Sequence, residues 1–353
     1  MTQAVALAQQ ASTGVSQGFK NRIINGAMVI DQRNAGASVT PASNGTFTLD
    51  RWSASINVSS KFSVQQNAGS VTPPAGFINY LGVTSLSAYS IGSSDILAMS
   101  HNIEGLNVTD LGWGTANAKT ITLSFWVRSS LTGTFGGAIR NSAVDRSYPF
   151  AYTISAANTW EQKSLTVPGD TSGTWLTNND IGVRIAFGLG VGSSNSGTAG
   201  AWSGSNFWSV TGATSVVGTN GATFYITGVQ LEVGSTATSF DYRPYGTELQ
   251  LCQRYYDFMT GGIGGGNQTS STNCGFSLSF RVPKRAAPTP SLVGTVNVND
   301  GSSQVNISSL PSYFYGDANG ILINFTTASL TANRPTLIYS QSSTAGLALS
   351  AEL

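Results

Sequence analysis

A single histidine, His101, sets the first limit on what this 353-residue chain can catalyse. Any Ser/His/Asp or Cys/His relay would have to use that imidazole, and a histidine-rich zinc site is excluded. His101 and Glu104 stand at i, i+3, which is half of a metal-ligand spacing, but no second ligand pair accompanies them. A hydrogen-bonded structural histidine is the expectation. Cys252 and Cys274 are too few for a four-thiolate site; they form either one disulfide or two buried free thiols, and the free pair is expected.

Paired carboxylates are the other route to catalysis, because a glycosidase needs an acid and a base on either side of one bond. Glu104 with Asp110, or Asp50 with Asp95, would be the pairs to consider. Sixteen acids over the whole chain are sparse, and most read as turn residues or as partners of nearby arginines, Asp50 beside Arg51 among them. The glycine runs GGIGGGN and GLGVGSSNSG lack a following Lys-Ser/Thr and open no helix, so they do not make a phosphate cradle. No catalytic residue, metal ligand or cofactor site is assigned.

Aromatic residues in polar loops are the stronger lead. A sugar ring offers an apolar C–H face and a rim of hydroxyls, which suits Trp or Tyr stacking with Asn, Ser and Thr at the edge. Trp175, Trp202 and Trp208 lie in Gly/Ser/Thr/Asn-rich stretches, and Tyr313, Phe314 and Tyr315 form an aromatic tip in LPSYFYGDANG. Trp175, Trp202, Trp208, Tyr313 and Tyr315 are therefore the candidate carbohydrate contacts. Trp126 and Trp160 fall in strand-like segments and are assigned to packing.

The elements that must hold these residues read as β. Charged residues make up 9% of the chain, against roughly 25% in ordinary soluble domains. Hydrophobic content of 40% and aromatic content of 10% still supply a core, which argues against disorder. The alternation in KTITLSFWVRSS puts Ile121, Leu123, Phe125 and Val127 on one face. FAYTISAANTWEQKSLTVPGD, IGVRIAFGLGVG and ATFYITGVQLEVG continue the series, and Asn-Gly or Asp-Gly pairs at 25, 44, 220, 300 and 319 supply turns. NRIINGAMVID, TFTLDRWSASIN and SKFSVQQN also read as strands.

The expected organisation is an N-terminal attachment segment over 1–20, a jelly-roll-like β-sandwich over 21–245 and a smaller C-terminal β domain over 246–353. All seven tryptophans precede residue 245. RPYGTELQLCQRYYDFM has helical spacing, with Leu249, Cys252 and Tyr256 on one face, and forms the joint together with Arg243, Tyr245, Glu248 and Arg254. GGIGGGNQTSSTN (261–273) reads as a flexible loop. A formal charge of +1 with scattered basic residues, the densest group being Arg281, Lys284 and Arg285, gives no surface for nucleic acid. No run of 18 apolar residues suggests membrane insertion, and residues 1–20 do not resemble a signal peptide.

NRIINGAMVIDQRNAG followed by TLDRW resembles the opening of many bacteriophage and prophage tail-fibre-like proteins. ITLSFWVRSS, TWEQKSLTVPGD, FYITGVQLEVGSTATSFDYRPYGTELQLCQRYYD, FRVPKRAAPTP and the closing ALSAEL are similar to the rest of that family, from residue 20 onward. The SFWVRSS and ITGVQLEVG strands also resemble those of carbohydrate-binding β-sandwich modules. The resemblance implies a non-catalytic virion protein: a tail-fibre subunit, homotrimeric, joined to other virion proteins through its N-terminus and touching host cell-surface polysaccharide. The rival readings are a head or neck fibre or capsid decoration protein without a receptor, and a polysaccharide depolymerase.

Overall fold

The computed structural model describes residues 19–310, 314–328 and 330–353. The first eighteen residues of the proposed attachment segment, and Tyr313, lie outside the described residues. The architecture is all-β: a jelly-roll-like sandwich followed by a smaller C-terminal β portion.

The sandwich is built from β1 (Thr46–Leu49), β2 (Trp52–Ile56), β3 (Phe62–Gln66), β4 (Leu81–Ser85), β5 (Ile96–Glu104), β6 (Ile121–Ser129), β7 (Gly133–Arg140), β8 (Ser147–Ile154), β9 (Glu161–Val167), β10 (Ile181–Val191) and β13 (Thr223–Val233). The short β11 (Ser196–Gly197) and β12 (Ser209–Val210) pair with each other in parallel. One sheet runs β1-β2-β5-β10-β7-β8 and the other β3-β4-β13-β6-β9. Ile121, Leu123, Phe125 and Val127 all point into the core, as their alternation predicts. Val183, Ile185, Phe187 and Leu189 of β10 are likewise at most 1% exposed, and Phe125 meets Phe187 edge-on at 5.1 Å. Each such side chain contributes about 1.5–3 kcal/mol on burial, so this double layer is the main source of stability.

Helix α1 (Tyr245–Gln253) leads into β14 (Tyr256–Met259), β15 (Gly262–Gln268), β16 (Asn273–Ser279), β17 (Thr289–Val293), β18 (Val296–Asn299), β19 (Gln304–Ile307), β20 (Phe314–Gly316), β21 (Gly320–Thr326), β22 (Pro335–Tyr339) and β23 (Gly346–Ser350). These form a three-stranded sheet, β14-β23-β17, and a seven-stranded sheet, β19-β18-β22-β15-β16-β21-β20. Phe276, Ile323, Phe325 and Leu347 belong to their shared core.

Several expectations change. Residues 21–31 form no strand: Asn25 and Met28 have φ of 59° and 57°, and the segment wraps along β13 instead. Arg22 N–H donates to Leu231 O, and Val229 N–H donates to Gly26 O across a bulge in β13. Residues 261–273 are not a loop, because most of them belong to β15 and the start of β16. Tyr256 is in β14 rather than on the helix. Asp50 and Arg51 do not pair: Asp50 accepts from Gln32 N and Nε2, both at 2.7 Å, while Arg51 donates to Glu352.

The joint gathers much of the chain's sparse charge. Glu248 of α1 accepts from Asn25 N–H and from Arg243. Arg254 grips Glu104 of β5 through two donors at 2.6 and 2.9 Å, and Tyr255 donates to the same carboxylate at 2.6 Å. Arg51 lies 3.6 Å over the Tyr255 ring, Arg33 joins it on Glu352, and Lys284 pairs with Asp257. Tyr245 does not share in this network; it is an exposed residue. Cys252 and Cys274 are free, buried thiols, one on the inner face of α1 and one in the C-terminal core. Among the described residues no helix is long and apolar enough to cross a membrane.

Candidate functional site

Three loops at one edge of the sandwich bring three indoles together. Trp113 follows the turn after β5, Trp175 lies between β9 and β10, and Trp202 lies between β11 and β12. Their ring centroids are 4.7 Å (113–175), 5.3 Å (113–202) and 5.4 Å (175–202) apart, each pair nearly perpendicular. Tyr148 of β8 meets Trp202 at 5.2 Å. Edge-to-face contacts of this kind add about 0.5–1.5 kcal/mol each beyond area burial, so the cluster holds its shape without ligand.

Every indole N–H is satisfied by the backbone: Trp113 donates to Lys119 O, Trp175 to Ser172 O and Trp202 to Pro168 O. Asp170 is the organiser. Its carboxylate takes Arg146 through two hydrogen bonds of 2.7 Å and also Ser172 N–H, while its carbonyl accepts Gly114 N–H. Gly114 and Gly173 have φ of 81° and 77°, and a Cβ on Gly114 would come within 2.7 Å of Gly173 O. Side chains there would prise the two loops apart.

Trp113 is buried, whereas Trp175 and Trp202 are half-buried. Beside them lies a cavity of about 170 Å³ lined by Trp113, Trp175, Leu176 and the hydroxyl-bearing Thr109, Thr115 and Thr177. Apolar ring faces next to hydroxyls fit one face and the rim of a small polyol.

Two sequence candidates, Trp175 and Trp202, thus meet in one cluster. Trp208 lies elsewhere, packed with Ala98 and Ala186 on the outer face of the larger sheet and only 8% exposed, with the Arg140 guanidinium 3.7 Å from its ring. Tyr315, in β20, is 61% exposed and paired in register with Leu322 of the C-terminal portion. Sequence reading missed Trp113 and Tyr148. For Trp113 a signal existed, since LGWGT has the glycine flanks seen around the other loop tryptophans; Tyr148 gave none. A second aromatic cleft of about 210 Å³, with Phe77, Phe240 and Tyr242 within 5.5 Å of one another, was also missed.

The groups considered for catalysis are occupied otherwise. His101 meets Ile24 O at 2.9 Å from Nε2; burial, with help from the charge of Arg51, brings its pKa down to about 3. Burial opposes ionisation of Glu104, but Arg254 and Tyr255 outweigh it and hold the carboxyl below its usual range. Asp50 is pushed up to about 6 by burial, against the pull of Arg33 and Gln32. Asp110 pairs with Arg22, and Asp95 accepts from Tyr89 and Gly92. Among the described residues no group of three or more His, Cys, Asp or Glu could hold a metal ion.

No family model matches the sequence, and no curated protein matches it. Solved structures give partial overlaps. A putative sugar binding protein from Bacteroides thetaiotaomicron overlaps with a TM-score of 0.36 at 12% identity, over 61% of this chain and 100% of that one. The family 11 carbohydrate-binding module from Clostridium thermocellum gives 0.28 at 12%, over 56% and 97%. The enzymatically active domain of bacteriophage CBA120 tailspike protein 4 gives 0.31 at 14%, over 56% of this chain and 22% of that one, so this chain spans about a fifth of its length. With scores below one half, these overlaps bear no weight for function.

Proposed function

We propose that this chain is a non-catalytic glycan-binding subunit of a bacteriophage appendage, and that the Trp113–Trp175–Trp202 cluster is its saccharide contact. The observation that carries the reading is the cluster itself. The buried Trp113, the half-buried Trp175 and three threonines border one cavity, Trp202 packs edge-on against both indoles, and every indole N–H is already bonded, which leaves ring faces and hydroxyls as the recognition surface.

The virion role rests on the sequence resemblance. In this reading the protein is a homotrimeric tail-fibre subunit, external on the particle, attached to other virion proteins through residues 1–20 and presenting its loops to host cell-surface polysaccharide. Trimeric display makes a millimolar contact, about 4 kcal/mol, sufficient for firm attachment. The non-catalytic reading is supported by the carboxylates at hand, Glu104, Asp110 and Asp170, each being committed to an arginine.

The test is binding of host surface polysaccharide and neutral oligosaccharides, by calorimetry, to the wild type and to Trp175→Ala and Trp202→Ala. Loss of binding in both variants, with each still folded at the assay temperature, is the expected result. Unaltered affinity would remove the cluster from the function, and new reducing ends in the incubated polysaccharide would replace binding by cleavage.

A further inference from the structure

On the outer face of the larger sheet, Arg140 of β7 and Arg184 of β10 are direct register partners. Two like charges facing each other across neighbouring strands repel. Neither takes part in an ion pair among the described residues. Arg140 is 0% exposed. The other cations buried to that degree, Arg51 and Lys284, each have a carboxylate, Glu352 and Asp257.

Arg140 is also short of acceptors. Its NH2 group donates to the amide oxygen of the exposed Asn206, while its Nε and the other terminal nitrogen are buried without a partner. Arg184, partly buried, spends only Nε, on Asn102 Oδ1 at 2.9 Å. Trp208 stacks on Arg140 and fixes the plane of its guanidinium, and the indole N–H of Trp208 is likewise unpartnered. Burial and the charge of Arg184 together lower the Arg140 pKa to about 9. Leaving a buried charge uncompensated costs several kcal/mol, and in a chain this poor in charge it demands a counter-ion.

We infer that Arg140 and Arg184, with Trp208 and Asn206, form a receptor for an oxyanion carried by the bound glycan, a sugar carboxylate or an acidic ester. The amide oxygen of Asn206 marks the place where an acceptor sits on Arg140, and Arg184, its register partner on the next strand, is the less buried of the two. Neighbouring guanidiniums that each keep nitrogens without an acceptor suit two oxygens of one group. The inference rests on the glycan-binding reading and narrows it to acidic saccharides.

The test is thermal unfolding and tryptophan fluorescence of the full chain with sodium glucuronate, inorganic sulfate and glucose. Glucuronate or sulfate should raise the melting temperature by ~2–5 °C, with glucose inert. A response to glucuronate alone supports a carboxylate receptor, and a response to both supports a general oxyanion receptor. Arg184→Gln should weaken the response roughly tenfold, the value of one charge-assisted bond. Asn206→Asp supplies the missing charge from within, so it should raise the melting temperature of the free protein and abolish the anion response. Equal responses to glucose and glucuronate, or an Asn206→Asp protein that is less stable and still responds, would overturn the inference. Failure of neutral oligosaccharides at the tryptophan cluster would instead count against the glycan reading, and leaves this anion readout decisive by itself.

Discussion

Arg51, in the turn between β1 and β2, donates to Glu352, 301 positions further along the chain, while its guanidinium lies flat over Tyr255. The two β portions are thereby closed by a cation whose side chain is 1% exposed and a carboxylate 7% exposed. Arg33 shares that carboxylate at 2.8 Å.

Such a pair contributes more to the geometry of the joint than to net stability, but breaking it leaves charge stranded. Glu352→Gln should cost about 3–5 kcal/mol in urea unfolding. The double replacement Arg51→Met, Glu352→Leu should recover much of that loss. A Glu352→Gln protein as stable as the wild type would show that Arg51 is compensated by its ring contact alone.

Acid should act on two buried groups in opposite senses. The folded pKa of His101, about 3, lies below its unfolded value, so its contribution is lost as pH falls from about 6.5 toward 3. The folded pKa of Asp50, about 6, lies above its unfolded value, so its contribution is present below about 3.8 and lost as pH rises through 6. Between pH 6.5 and 4.5 the two therefore offset each other. Relative to the wild type, His101→Gln should lose about 2 kcal/mol less stability over that range, and Asp50→Asn about 2 kcal/mol more. Urea titrations of the three proteins at both pH values measure this; parallel pH slopes would refute it.

Gly136 of β7 lets the strand β12 lie on the outer face of the larger sheet. A Cβ there would meet Ser209 Oγ at 2.4 Å and Val210 N at 2.9 Å. Gly136→Ala should cost about 1–3 kcal/mol and shift the fluorescence of neighbouring Trp208. Gly204→Ala, whose nearest neighbour is 4.0 Å away, is the control and should change neither. Equal behaviour of the two variants would mean that β12 is not held down at this point.

What could be read in the sequence was whatever alternation controls. Ile121, Leu123, Phe125 and Val127 announce a sheet face because a strand turns each successive side chain over. Glycine was misread in GGIGGGNQ, where it serves close approach rather than freedom: a Cβ on Gly264 would strike Leu278 at 2.2 Å, and one on Gly266 would strike Gly275 O at 2.2 Å. NRIINGAMVID looks extended by residue type, but Asn25 and Met28 adopt left-handed backbone to follow the bulge in β13, which no local pattern encodes. For the site, loop tryptophans were visible one at a time. Their convergence depends on Asp170 tying two loops through Arg146 and Gly114, contacts between segments distant in sequence. The facing of Arg140 by Arg184 required the β7–β10 register and was invisible for the same reason.

The clasp at Glu352 also imposes an order on biogenesis. At ordinary translation speeds, roughly 15 to 60 s separate the synthesis of Arg51 from that of its counter-ion. A nascent sandwich must leave the ribosome with this guanidinium still hydrated and its docking surface open. Closure is thus a late event, and the interval is when a waiting chaperone or a sister chain would find the molecule receptive.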